Sequence, residues 1–120
     1  MSKSNIEETK IYHVYMDLIL YVEMITEKYP GSAKKTLVYE IKKDLYDGMR
    51  HILIAYKMFD KNDKLDYLNK LDISLKMLKI YSRISYKKKF INVKNYEAWS
   101  KKINNICICL GGWINSCLKQ

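Results

Sequence analysis

The chain is poor in residues that break or turn a backbone, with one proline and four glycines among 120 residues. An all-β domain needs many more turn residues, so this scarcity favours helices. Disorder is also excluded, because hydrophobic residues make up 48% of the sequence. The length suits one domain, residues 1–120, with a single modest core. We therefore predict an all-α domain.

Cysteine is scarce and confined to one end of the chain, at Cys107, Cys109 and Cys117. An odd number of cysteines in one segment cannot form a disulfide framework. The Cys107-x-Cys109 spacing also differs from that of zinc sites, and no second pair of cysteines or histidines accompanies it. We expect reduced cysteines that pack in a helix, and no metal site.

No apolar run is long enough to cross a membrane without including charge. The most apolar run, residues 14–25, contains Asp17 and Glu23. Residues 1–10 are polar and mixed in charge, unlike a secretory signal peptide. We expect a cytoplasmic protein that does not span a membrane.

Groups that could perform catalysis are few and scattered. The two histidines, His13 and His51, are isolated from each other and from paired acids. The acidic residues do not form the Glu-x-x-His pairs of di-iron bundles, and no glycine-rich phosphate loop is present. Cys117 has no histidine near it in sequence to activate a nucleophile. The sequence therefore predicts no catalytic site and no cofactor.

Four segments repeat apolar residues at steps of three and four, which is typical of amphipathic helices. They are residues 9–29, 33–59, 64–86 and 92–119, separated by Pro30-Gly31, residues 60–63 and residues 88–92. Ser32 is the expected N-cap of the second helix, and residues 1–8 are expected to be a loose tail. Long helices with short connections predict an antiparallel up-down-up-down four-helix bundle.

The second segment combines an apolar stripe with a potential close contact. The stripe is Leu37, Ile41, Leu45, Ile52, Ala55 or Tyr56, and Phe59. Gly48 lies on the same stripe and has no side chain. We predict that a neighbouring helix approaches closely at Gly48.

The fourth segment carries both tryptophans, Trp99 and Trp113, and keeps its apolar period past Gly111 and Gly112. Either Gly111 ends the helix as a C-cap, or the helix continues and another backbone or ring packs over the glycines. The unbroken period favours the continuous helix. Because the glycines share a flank with Ile108, we predict a second contact face at Ile108, Gly111 and Gly112.

The third segment has apolar residues on two nearly opposite faces, since residues two apart on a helix point about 200° apart. One stripe is Leu68, Leu71, Leu75 and Leu78, continued by Ser82 and Ser85; the other is Ile73, Met77, Ile80 and Ile84. A helix in a lone bundle needs only one apolar face. The second stripe therefore predicts a homo-oligomer in which it is buried against another protomer, for example against that protomer's first helix.

Acidic residues are fewer than basic ones: the chain has 13 acidic and 22 basic residues, so its net charge is +9. This balance favours nucleic acid, an anionic membrane or an acidic protein as partner, and a solvated basic surface is the alternative. The second segment aligns Lys35, Tyr39, Lys42, Tyr46, Arg50 and Lys57; the third aligns Lys76, Lys79 and Arg83 ahead of Lys87, Lys88 and Lys89. Lysine and arginine neutralise phosphates, and tyrosine stacks on unpaired bases, so these rows are the predicted binding residues.

Two runs of the fourth segment, YEAWSKKI at residues 96–103 and LGGWINS at residues 110–116, resemble the C-terminal helix of a known family. The family is that of the accessory variability determinant (Avd) proteins of diversity-generating retroelements. Residues 25–30 (ITEKYP) and 64–72 (KLDYLNKLD) are also similar, so the resemblance covers nearly the whole chain. The Leu-Gly-Gly-Trp-Ile motif is its most specific part.

The resemblance implies a homopentameric barrel of four-helix bundles with a basic surface. It also implies a non-catalytic subunit that binds a reverse transcriptase and its template RNA, and that is needed for error-prone copying into cDNA. The two basic rows then become candidate contacts for the polymerase or for nucleic acid. Four-helix-bundle proteins encoded in intervening sequences of ribosomal RNA genes share the fold and remain the alternative, although the Leu-Gly-Gly-Trp-Ile ending and the charge favour the retroelement group.

Overall fold

The structure is a computed structural model that describes residues 5–120. Four long helices make up most of it: α1 (Lys10–Thr26), α3 (Leu37–Lys57), α4 (Lys61–Lys87) and α5 (Val93–Leu118). A short helix, α2 (Gly31–Lys34), lies between α1 and α3, and Ile6–Glu8 form a 3-10 turn within the segment expected as a loose tail. Residues 1–4 of that segment lie outside the described residues. No strand occurs in residues 5–120, which agrees with the predicted all-α class.

The long helices pack in a ring that follows the chain. Helix α1 packs on α3, α3 on α4, α4 on α5, and α5 returns to α1. Short connections between successive helices make neighbours antiparallel. The molecule measures 46 × 23 × 23 Å, an elongated shape set by the length of its longest helices. This arrangement agrees with the predicted four-helix bundle.

The core is aliphatic around one large aromatic residue. Trp99 is fully buried, as are the leucines of the first stripe of α4, and Ser82 and Ser85 continue that stripe into the interior. The stripe of α3 is buried from Ile41 to Ala55. Burial of aliphatic side chains contributes about 1.5–3 kcal/mol each, so these stripes supply the main stabilising term.

Helices α1 and α3 approach closely at a buried contact around Tyr15. The Tyr15 hydroxyl donates a hydrogen bond to the backbone oxygen of Leu45 over 2.6 Å, and the tyrosine ring lies over Gly48. A Cβ atom added at Gly48 would lie 2.7 Å from Cζ of Tyr15. The side chain of Tyr15 is fully buried, and this burial raises the pKa of its hydroxyl, with the charges of Asp44 and Asp47 adding to the effect. The close approach predicted at Gly48 is therefore confirmed.

The predicted start of the second helix is wrong. The chain forms the short α2 and then breaks before Leu37, because Thr36 adopts φ −117° and ψ −84°. The Thr36 hydroxyl donates to the Ser32 backbone oxygen over 3.3 Å, a local bond that competes with a continuous helix. Ser32, the expected N-cap, lies inside α2. The residue at the N-cap position of α2 is Pro30.

The predicted ends of the first two helices are also too late. Helix α1 stops at Thr26, before Tyr29. Helix α3 stops at Lys57, because Met58 is extended with ψ 139°. Phe59 therefore leaves the apolar stripe and is fully exposed.

Side-chain caps set the start of the last two helices. The Asp60 carboxylate accepts a hydrogen bond from the Asp63 N–H over 3.0 Å, so residues 61–63 are the first turn of α4 and not the predicted loop. Asn92 and Asn95 bond reciprocally as a capping box before α5. Helix α5 then continues through Gly111 and Gly112, which confirms the continuous helix and excludes Gly111 as a C-cap.

The end of α4 places a lysine where glycine is usual. Lys89 has φ 65°, while the Phe90 N–H donates to Ser85 over 2.9 Å and the Lys89 N–H donates to Tyr86 over 3.0 Å. This pair of bonds is the Schellman motif, whose left-handed residue favours glycine. Lys89 thus carries a positive charge in the left-handed backbone conformation, which has a steric free-energy cost for lysine.

Replacing Lys89 by glycine should raise the free energy of unfolding by about 1 kcal/mol, because glycine adopts positive φ without a steric penalty. Urea denaturation measures the change. Lys88→Gly is the matched control, since Lys88 has φ −82° and glycine there should lower stability. Equal losses for both variants would contradict strain at Lys89.

Candidate interaction surfaces

Helix α4 presents a continuous basic edge. Lys79, Arg83 and Lys87 are exposed, and Lys88 and Lys89 extend the edge beyond the helix end. Lys76 also lies on this face and is paired with Asp72 over 2.7 Å. An exposed pair of this kind contributes little to stability, so Lys76 can exchange its partner for an external anion at small cost. We call Lys76, Lys79, Arg83, Lys87, Lys88 and Lys89 the basic edge.

An aromatic pair with one exposed member lies beside the basic edge. Tyr86 is 41% exposed and stacks on Tyr96 of α5, with ring centroids 5.0 Å apart and planes 24° apart. A tyrosine held flat in this way offers its outer face for stacking on an unpaired base. The sequence analysis missed Tyr86, although its position just before Lys87 was a usable signal.

The second apolar stripe of α4 divides into two parts. Ile73 and Ile80 are 61% and 46% exposed, so they form an outward apolar pair. Met77 and Ile84 are half-buried and pack against the core of their own chain. Met77 and Ile84 lie at the flank where α4 meets its neighbour, so Ile73 and Ile80 are the members of the stripe that face outward. Burial of the whole stripe between protomers stays a prediction.

Helix α5 carries an open face at the predicted glycine contact. Ile108 is 73% exposed, and a Cβ added at Gly111 or Gly112 would meet no atom within 4 Å. Nothing in the described chain packs over these glycines. The contact face of Ile108, Gly111 and Gly112 therefore stays a prediction that concerns another protomer.

The predicted row on the second helix is only partly a surface row. Lys35 lies in the break between α2 and α3, while Tyr39 is 61% exposed and Lys57 is exposed near the end of α3. Lys42 is half-buried, and Arg50 is paired with Asp47 over 3.2 Å. The row is thus broken at Lys35 and runs along the side of α3 that borders α1.

Tyr46 is held by α1 instead of projecting freely. Its hydroxyl donates a hydrogen bond to the carboxylate of Glu23, and this bond is the first cause of the raised pKa of Tyr46. The side chain remains 40% exposed. Because the bond fixes the ring along the helix pair, Tyr46 is less suited than Tyr39 to stacking on a base.

An apolar groove runs between α1 and α3 beside Tyr46. It has a volume of about 400 Å³ and is lined by Tyr12, Met16, Ile19, Tyr46, Met49, Arg50 and Leu53. We call it the α1–α3 groove. The sequence analysis missed it, although Met16 and Met49 were a signal, since methionine is frequent on adaptable binding surfaces.

Comparison with known proteins decides the family. The chain matches the bAvd-like family over residues 8–117, nearly its full length. The chain belongs to the bAvd-like family. This result confirms the resemblance to Avd proteins that the motifs of α5 indicated. No curated protein matches the sequence.

The described part of this bAvd-like chain holds no group of metal-binding side chains among residues 5–120. Within the same residues, no helix is both long and apolar enough to span a membrane. Its cysteines are unpaired: Cys117 is buried, Cys109 is half-buried, and Cys107 is exposed, contrary to the expected packing role for Cys107. Partial desolvation of the Cys107 sulfur and the nearby Asp72 raise the pKa of this thiol, which stays protonated at neutral pH.

His51 lies at the contact of α3 with α4. Its ring centroid is 6.1 Å from that of Tyr67, and its Nδ1 atom is buried with no hydrogen-bond partner within residues 5–120. Burial lowers the pKa of His51, so the imidazole is neutral at pH 7. His51 thus adds no charge to the basic surface.

Proposed function

We propose that this bAvd-like chain is a non-catalytic accessory subunit of a diversity-generating retroelement in the cytoplasm. In this role it binds the reverse transcriptase of the element, together with the template RNA and the cDNA copied from it. Membership of the family over residues 8–117 supports the accessory role. The basic edge is the observation that carries the nucleic-acid part of the proposal.

The geometry of the basic edge suits a phosphate backbone. Lys79, Arg83 and Lys87 follow at steps of four along the outer side of α4, so successive charges are about 6 Å apart along the axis. That spacing is close to the distance between successive phosphates of an extended single strand. Each lysine or arginine that contacts a phosphate releases counterions, so binding should be sequence-independent and sensitive to salt.

Two further features support a single-stranded ligand. Tyr86, beside the basic edge, offers a face on which an unpaired base can stack. Lys89 keeps its charge despite a backbone conformation that favours glycine. Strain retained at a charged residue is consistent with a binding role, since stability is commonly exchanged for function.

We further propose that the chain assembles into a homopentameric barrel. The outward pair of α4, Ile73 and Ile80, has an apolar counterpart on α1, where Leu20 and Met24 are 59% and 56% exposed. A contact between α4 of one protomer and α1 of the next is head-to-tail, and such contacts form a closed ring when the rotation between protomers divides 360° evenly. Ile108, Gly111 and Gly112 add a second open face on α5 for this assembly.

Reversing two charges of the basic edge, with Lys79→Glu and Arg83→Glu, should weaken RNA binding by at least about tenfold. The slope of log K against log salt should become shallower by about 1.5, since each phosphate contact to a single strand contributes roughly 0.7. Fluorescence anisotropy with a labelled RNA across a salt series measures both. Thermal stability should change by less than about 1 kcal/mol, because exposed charges contribute little to folding.

The matched control is Lys10→Glu with Lys119→Glu, which changes the net charge equally at exposed sites at the other end of the bundle, where α1 begins and α5 ends. This control should keep most of the affinity and the original salt slope. Equal losses for both pairs would show that net charge alone drives binding. No RNA binding by the wild-type chain at low salt would contradict the nucleic-acid role.

A further inference from the structure

A cleft opens at the end of the bundle where α1 ends and α3 begins. Its volume is about 280 Å³, and its lining is Thr26, Glu27, Lys34, Val38, Tyr39 and Lys42. Thr26 and Val38 are buried and form the floor, whereas the Tyr39 side chain is 61% exposed at the rim. We call it the Tyr39 cleft. Small-molecule sites begin at about 300 Å³, so a cleft of this size suits a single planar group.

The Tyr39 cleft is mixed in charge and not simply basic. Its lining holds two lysines and one glutamate, a net charge of +1. Residues 23–44 as a whole contain five lysines and four acids, again +1. Glu23 keeps its negative charge although it accepts a hydrogen bond from a tyrosine, and Glu40 and Asp44 lie near a tyrosine of α4. A matching ligand therefore carries an anionic group for the lysines and hydrogen-bond donors for the Glu27 carboxylate.

The charged side chains of the lining are not committed to one another. Glu27, Lys34 and Lys42 form no ion pair within the described part of the chain. The Thr26 hydroxyl donates to the Val22 backbone oxygen over 2.9 Å, so it is used inside α1. Glu27 is the C-cap of α1, where the negative end of the helix dipole favours donors and cations over anions. The donor part of a ligand therefore belongs at Glu27, and its anionic part belongs at Lys34 and Lys42.

A guanine nucleotide has this combination of groups. Guanine presents two adjacent donors, N1–H and the N2 amino group, on its Watson–Crick edge, and these match the two oxygens of a carboxylate. Its ring can stack on Tyr39, and its phosphate can pair with lysine. Adenine places an acceptor beside its donor, and uracil places acceptors on both sides, so a carboxylate is repelled by either base. Acidic side chains of a protein supply acceptors only and would leave Glu27 unpaired.

We propose that the Tyr39 cleft binds a guanine nucleotide, with Glu27 accepting from the base and Lys34 and Lys42 holding the phosphate. The inference rests on the proposed function for the source of that nucleotide, which is an RNA strand. Helix α2 lies between the cleft and the basic edge: Lys34 lines the cleft, and Ser32 lines a cavity that it shares with Lys88. A strand that crosses α2 can therefore reach both surfaces. The basic edge then holds the strand regardless of sequence, and the cleft adds a preference for one base.

The test uses labelled uridine strands of about nine nucleotides with one central guanosine, inosine or adenosine. Inosine differs from guanosine only by the absence of the N2 amino group, so this pair isolates one donor. Fluorescence anisotropy with the full chain should show the guanosine strand bound at least about fivefold more tightly than either other strand, because hydrogen bonds to a charged group are strong. Equal affinities would overturn the proposal, since phosphate contacts alone would then explain the binding.

Variants of the protein locate the site. Glu27→Gln should abolish the preference for guanosine over inosine, because an amide has one acceptor where the carboxylate has two. Its affinity for an all-uridine strand should be unchanged or slightly higher. Glu97→Gln, at an exposed glutamate of α5, is the matched control, since it removes the same charge and should keep the preference. Tyr39→Ala should weaken the guanosine strand at least about fivefold, and Tyr39→Phe should restore it, because stacking needs only the ring. A preference that survives Glu27→Gln would overturn the proposal.

Two further measurements separate this inference from the proposed function. Lys79→Glu with Arg83→Glu should weaken all strands alike and keep the preference for guanosine, because the basic edge and the cleft are separate surfaces. Free GMP should bind more weakly than the guanosine strand, since it makes no contact with the basic edge. Strand binding without any base preference would overturn the cleft inference and leave the proposed function standing. Binding of GMP that depends on Glu27, with no binding of any strand, would support the cleft as a site for a free nucleotide and contradict the nucleic-acid role.

Discussion

Gly48→Ala should destabilise the bundle by about 2–3 kcal/mol, even though alanine is the better helix former. The added methyl group would lie 2.7 Å from Cζ of Tyr15, and the surrounding side chains are fully buried. Relief requires Tyr15 to move, which also breaks the bond from its hydroxyl to Leu45. Thermal unfolding followed by circular dichroism should show a midpoint about 10 °C lower.

Two companion variants separate overpacking from a general effect of alanine. Gly31→Ala should be neutral or slightly stabilising, because a Cβ there meets no atom within 4 Å. Combining Gly48→Ala with Tyr15→Leu should lose less stability than the sum of the two single changes, since the smaller side chain vacates the space. Additive losses, or a stable Gly48→Ala variant, would show that the two helices are not locked at this contact.

Much of the fold could be predicted because the apolar period is strong and turn residues are few. The close contact at Gly48 and the continuation of α5 through Gly111 both followed from the phase of the stripes. The break at Thr36 could not be predicted, because it depends on a local side-chain bond to Ser32 that competes with a good helical pattern. The start of α4 was missed for a related reason, since Asp60 serves as a cap whose geometry is set by the turn before it.

The candidate surfaces were less predictable, because they depend on how flanks of neighbouring helices meet. A helical wheel places Tyr46 on the outer row of its helix, but Glu23 of α1 holds its hydroxyl. The same wheel assigns Met77 to an outward stripe, whereas the residue packs into its own core. The α1–α3 groove needs both helices to be seen together, so neither sequence stripe alone could indicate it. The basic edge was predictable because its residues share one helix face.

The outward apolar pair of α4 leads to the prediction with the largest effect on assembly. Ile73→Asp with Ile80→Asp should convert the proposed pentamer, about five times the 14.3 kDa mass of one chain, into monomers. An aspartate buried at a contact without a partner costs several kcal/mol, and each protomer would carry two. The monomer should stay folded, because Ile73 and Ile80 are already 61% and 46% exposed in the single chain. Light scattering gives the mass, and circular dichroism gives the helix content.

The choice of variants and controls makes this result decisive. Met77 is a poorer target than Ile73, since it packs against the core and its loss would also weaken the fold. Val93→Asp with Leu118→Asp is the matched control, because these aliphatic residues are 50% and 57% exposed at the ends of α5. The control should remain oligomeric, whereas Leu20→Asp with Met24→Asp should give monomers if α1 is the face that meets α4. A wild-type chain that is monomeric in dilute solution would contradict the proposed barrel. Monomers from the control pair would show that added negative charge, and not the α4 contact, controls the assembly.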